Sequence, residues 1–106
     1  KFQGFNSERF MLTGKQKRFL RGIGTNLDPI VQVGKSGVSE NVIQSLEEAL
    51  TARELVKTRV LKNCLEDPQE VAQELSQVTG AHLVQVVGRN ILLYRPSEDK
   101  PKIELP

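Results

Sequence analysis

Apolar and polar positions repeat along this chain with two periods, and each change of period marks an element. Leu12, Phe19, Leu20 and Ile23 fall on one side of a helix at about 100° per residue. Lys15, Lys17, Arg18 and Arg21 occupy the remaining arc. Thr13 can cap this helix, and Gly22, Gly24 and Asn26 weaken its end, so it is predicted over 13–24. Pro29-Ile30-Val31-Gln32-Val33 then reads as a strand. Val42, Ile43, Leu46, Ala49 and Leu50 return to the helical period behind a Ser39 cap, predicting a helix over 40–52.

Residues 54–62 alternate, with Val56, Thr58 and Val60 on one face and Leu55, Lys57, Arg59 and Leu61 on the other. Asp67, Pro68 and Glu70 open a third helix in a capping-box-like start. Its stripe is Val71, Ala72, Leu75 and Val78, and Gly80 ends it. Residues 82–87 and 91–95 read as two strands, and Gly88-Arg89-Asn90 is short enough to join them as an antiparallel hairpin. The order is α-β-α-β-α-β-β. It predicts an α/β fold with three helices stacked on one four-stranded mixed sheet, its β-α-β crossovers right-handed.

Two segments stand apart. Residues 1–10 hold three of the four Phe with no period, and read as an appended leader. Residues 96–106, with three Pro and mixed charges, read as a flexible tail. The domain proper is therefore expected over 11–95.

The connection Gly34-Lys35-Ser36-Gly37 joins the first strand to the second helix. Glycine permits positive φ and close approach of a ligand, and a helix start offers unpaired N–H groups, so a phosphate fits there. A tight turn with no ligand is the alternative. The loop is not a nucleotide P-loop, because Pro29 stands where the first Gly is required. It is not a dinucleotide fingerprint either, because Gln32 replaces the first Gly and Leu27 spoils the Gly22-Ile23-Gly24 candidate.

Charge sharpens the picture. The net charge is +2, yet residues 1–37 carry seven Lys/Arg against two Asp/Glu, and 38–80 carry four against eight. The basic part contains the loop, which suggests an electropositive face toward a polyanion. One Cys (Cys64) and one His (His82) exclude an internal disulfide and a cysteine–histidine zinc site. Ser36 has no evident base, and the cap accounts for Asp67 and Glu70. No constellation supports an enzyme, and no apolar run approaches the roughly 18 residues of a membrane span. Outside the leader only Phe19 and Tyr94 are aromatic, and Phe19 lies on the apolar stripe, which argues against base stacking.

Five segments carry a resemblance. Thr13–Arg21, Pro29–Gly37, Asn41–Ile43, Arg53–Lys57 and Val87–Arg95 resemble, in order, the bacterial YhbY/YqeI proteins, stand-alone CRM domains. The resemblance implies a fold like the C-terminal domain of translation initiation factor three. It implies RNA binding at the G-x-x-G loop, and association with precursors of the large ribosomal subunit. The residues carried over are Gly34, Lys35, Ser36 and Gly37 from the loop, Lys15, Lys17, Arg18 and Arg21 from the first helix, and Arg89 from the hairpin. Lys57 and Arg59 stay outside this set. The expected protein is a cytoplasmic monomer with rRNA as partner, and with no cofactor, metal or small-molecule substrate. A protein-interaction adaptor using the acidic helices is the competing reading.

Overall fold

The structure, a computed structural model, describes residues 11–97 and 101–106. The predicted leader lies outside the described residues. Seven elements follow in the expected order: α1 (Gly14–Gly24), β1 (Val31–Val33), α2 (Glu40–Arg53), β2 (Leu55–Val60), α3 (Pro68–Thr79), β3 (His82–Val87) and β4 (Asn90–Tyr94). The helix starts obey the capping signals. Thr13 and Gln16 close a full capping box on α1. Ser39 Oγ accepts from Val42 N, and Asp67 Oδ1 accepts from Gln69 N, ahead of Pro68 at the start of α3. Gly80 ends α3 in the left-handed conformation.

The four strands form one mixed sheet in the order β1-β2-β4-β3. β1 runs parallel to β2, while β4 is antiparallel to both neighbours. The crossover through α2 therefore joins adjacent strands. The one through α3 joins strands that β4 separates.

The sheet is covered on both faces. On one, α2 and α3 bring Leu46, Leu50, Val71, Ala72 and Leu75 onto Val31, Val33, Val56, Val60, Ile91 and Leu93. On the other, α1 seats Leu20 on Leu55, Val84, Leu92 and Tyr94. Gly24 makes this approach possible, because a Cβ there would come 2.5 Å from Leu92 Cδ2. Two stripe positions differ from expectation. Phe19 is 41% exposed and Val78 is 47% exposed, so both stripes are narrower than their periodicity suggests.

The segment read as a flexible tail is anchored where it is described. Ile103 and Leu105 pack against the α1-side cluster, and Pro106 O accepts from Gln16 Nε2 at 3.2 Å. The anchor is Glu54, fully buried at the end of α2 with a positive φ of 68°. Its carboxylate accepts from the backbone N–H groups of Ser97, Lys102 and Ile103. Burial works to raise the Glu54 pKa, but those three donors and the Lys102 ammonium outweigh it, and the net direction is down.

Candidate nucleic-acid interface

The loop after β1 is a closed turn: Gly37 N donates to Gly34 O at 3.0 Å. Gly37 has φ +67° and is buried, a conformation that a side chain would strain. Its N–H is thus committed to the turn. Lys35 and Ser36 are exposed at the tip, and their N–H groups make no hydrogen bond among the described residues. What the loop can offer an anion is those two N–H groups and the Lys35 ammonium, close to the capped start of α2.

The segment between β2 and α3 lies behind the loop. A Cβ on Gly34 would meet Leu61 and Asn63 at 3.6 Å, and one on Gly37 would lie 2.5 Å from Glu66 Oε2. An acidic side chain therefore sits against the proposed anion loop. Residue numbers alone, which separate Glu66 from Gly37 by a helix and a strand, do not reveal this. The hairpin tip reaches the same place. Val60 N donates to Arg89 O at 2.7 Å, and Arg89 Nη1 donates to Leu61 O at 3.1 Å. The structure thus brings Gly34–Gly37 and Arg89 together at one end of the sheet.

The α1 cations are not beside the loop. Lys15 and Arg18 are exposed, and Lys17 and Arg21 are half-buried, on the opposite face from α2 and α3. Lys17 acts on His82 at the far end of β3: burial and then the Lys17 charge lower the His82 pKa, which keeps the imidazole neutral at pH 7. Between the two groups lie Lys57 and Arg59, which share the Leu55 face of β2 and so look toward the α1 side. The strand alternation already put them on one face, but only the location of α1 shows that this face connects the loop to the helix. None of Lys15, Lys17, Arg18, Arg21, Lys35, Lys57, Arg59 or Arg89 has an acidic ion-pair partner among the described residues; the pair that does form is Arg95–Glu47.

Cys64 is a buried free thiol. His82 stacks on Tyr94 with ring centroids 6.3 Å apart, as a strand residue. Among the described residues no His, Cys, Asp and Glu gather in a metal-binding group, and no helix is long and apolar enough to cross a membrane.

The chain is a three-layer α/β domain with cations along one face and end that have no ion-pair partner among the described residues. Its family is shown by comparison. The CRS1 / YhbY (CRM) domain model matches residues 12–95, and the chain belongs to that family. It is 53% identical over 96 residues to "Probable RNA-binding protein YqeI" of Bacillus subtilis, covering 91% of this chain and 100% of that protein. It is 40% identical over 95 residues to the "RNA-binding protein" of Haemophilus influenzae, covering 90% of this chain and 95% of that one. The solution structure of SAV1595 from Staphylococcus aureus, 50% identical, superposes with a TM-score of 0.77 over 91% of this chain and 100% of that one.

Proposed function

We propose that this protein binds RNA, and that it does so on precursors of the large ribosomal subunit, whose assembly it assists as a cytoplasmic monomer. The observation that carries the RNA reading is the set of cations on the α1 face and sheet end that lack acidic partners among the described residues, in a chain whose relatives are named RNA-binding proteins. Lys and Arg free of internal partners are available to phosphates, and their contacts give sequence-independent affinity. Lys35 and Ser36 take one phosphate at the turn, Arg89 a neighbouring one, and Lys57 and Arg59 continue the track toward Lys15, Lys17, Arg18 and Arg21. No cofactor or catalytic step enters this reading. The ribosomal part rests on the YhbY/YqeI resemblance.

Fluorescence anisotropy with a structured fragment of large-subunit rRNA between 50 and 200 mM salt tests the first part. Affinity should fall linearly on a log–log plot, with a slope that reflects several phosphate contacts; a protein-interaction adaptor would bind weakly with no such slope. Crosslinking in cells, followed by sequencing of the attached RNA, tests the second.

Glu66 supplies a directional check. Glu66→Gln removes a negative charge from beside Gly37 while keeping the side-chain shape. RNA affinity should rise about threefold at 50 mM salt, and the gain should shrink at 200 mM. An unchanged affinity would mean that no phosphate approaches the loop.

A further inference from the structure

We propose that a recess on the α1 side of the sheet receives one unpaired base of the bound RNA. The inference rests on the RNA reading above and adds a base-holding site to its phosphate contacts. The recess lies where the end of α1 meets the sheet and has a volume of about 260 Å³. Pockets that enclose a drug-sized ligand run from roughly 300 to 1,000 Å³, so one flat ring system is the matching occupant. Gly24 lines it from the end of α1 and Thr25 from just after it, Lys57 from β2, Gln85 and Val87 from β3, and Asn90 and the apolar Leu92 from β4.

Two independent features indicate a built site. The first is a β-bulge. The β3–β4 register passes from Leu83↔Leu93 directly to Gln85↔Leu92. Leu83 and Val86 pack toward α2 and α3, whereas Val84 belongs to the α1-side cluster. Strict alternation would send Gln85 into the apolar core with Leu83, and Val86 to the recess. The bulge reverses this and puts the Gln85 amide in the recess wall, a use to which bulges beside functional sites are commonly put. The second is Asn90, whose Oδ1 is buried with no hydrogen-bond partner among the described residues. A buried acceptor left unpaired is costly, and a turn of the Asn90 side chain toward the recess would let a ligand N–H relieve it.

The wall chemistry suits a base edge: amides at Gln85 and Asn90, a hydroxyl at Thr25 and only donors at Lys57. Val87, which is 57% exposed, gives an apolar rim. No aromatic ring among the described residues lines the recess, so the base is held by its edge and by packing. A polynucleotide fits better than a free nucleotide. A mononucleotide would use Lys57 alone, whereas a continuing strand meets Arg59 and the loop on one side and the α1 cations on the other.

The probes are two RNA hairpins with the same stem and a five-nucleotide loop, one with intact loop bases and one with the loop abasic. Phosphates are identical, so only base contacts differ. Wild type should bind the intact loop about tenfold more tightly than the abasic one, as expected of one hydrogen-bonded base edge. In Gln85→Leu, and in Thr25→Trp, which fills the recess from its exposed rim, the two RNAs should bind alike, at the wild-type affinity for the abasic hairpin. Equal wild-type binding of both hairpins overturns the recess while leaving the RNA reading intact, and needs no variant to fold. Discrimination that persists in both variants also overturns it. Absence of salt-dependent binding to either hairpin overturns the RNA reading itself, and the recess with it.

Discussion

Replacing Lys15, Lys17 and Arg18 together by Glu is expected to lower RNA affinity by on the order of 100-fold at 0.1 M salt and to leave the fold intact. Three cations that neutralise phosphates disappear, and three repulsions replace them. The log–log salt slope should flatten by roughly 0.7 to 0.9 for each phosphate no longer neutralised. Folding should survive because the helix docks through Leu20, and none of the three cations has an ion-pair partner among the described residues. Carboxylates in the first turns of α1 also suit the positive end of its dipole. An internal control comes with the variant. Loss of the Lys17 charge removes one of the two causes that lower the His82 pKa, so the imidazole should titrate higher by NMR. A folded triple variant that binds RNA like wild type would remove α1 from the interface.

Glu54→Ala is expected to have the largest effect on stability, a loss of about 3 kcal/mol and of roughly 15 °C in Tm. The change deletes the acceptor of three backbone N–H groups and leaves an Ala at a positive φ that still favours glycine. The loss is smaller than the sum of three charge-assisted bonds because the released donors can turn to water. Hydrogen exchange should locate the damage, with faster exchange at Lys102 and Ile103. The pH dependence follows from the depressed pKa. The ionised, hydrogen-bonded Glu54 stabilises the protein fully above its unfolded pKa, near 4.5, and that contribution fades as pH falls through the lower folded value. Wild type and Glu54→Ala should therefore converge in Tm as the pH is lowered through the range below about 4.5. A gap that stays constant over that range would assign the stability to packing at residue 54 and not to its charge.

Local chemistry made most of the fold legible. Thr13, Ser39, Asp67-Pro68 and Gly80 each carry a physical signal for a helix end, and each end lies where the signal puts it. Alternation over 54–62 identified β2, and the segments 29–33, 82–87 and 91–95 were each legible as strands. The misses are non-local. Periodicity gives the direction of the α1 stripe but not its width, and an 11-residue helix on a twisted sheet covers too little to bury Phe19. The three prolines and mixed charges of 96–106 masked Ile103 and Leu105, whose burial depends on a carboxylate more than forty residues earlier. The candidate site was legible as residue types, in the loop and on α1. Its layout was not. Lys57 and Arg59 gain meaning only when α1 is seen on their side of the sheet, Glu66 only when the segment after β2 folds behind Gly37, and Gln85 only through a bulge that its sequence does not announce.

The central position of β4 has a consequence for synthesis. Translation delivers β1, α2, β2, α3 and β3 first, and until Asn90–Tyr94 emerges β2 and β3 have no neighbour in common. A nascent chain stopped before Asn90 leaves β2 bare on one edge and β3 bare on both, an invitation to pairing with other chains. The sheet closes only when β4, the last of its four strands in chain order, is out, so sheet formation waits on long-range pairing. Loss of β4 is thus more damaging than loss of a strand of the same length from the edge of a sheet.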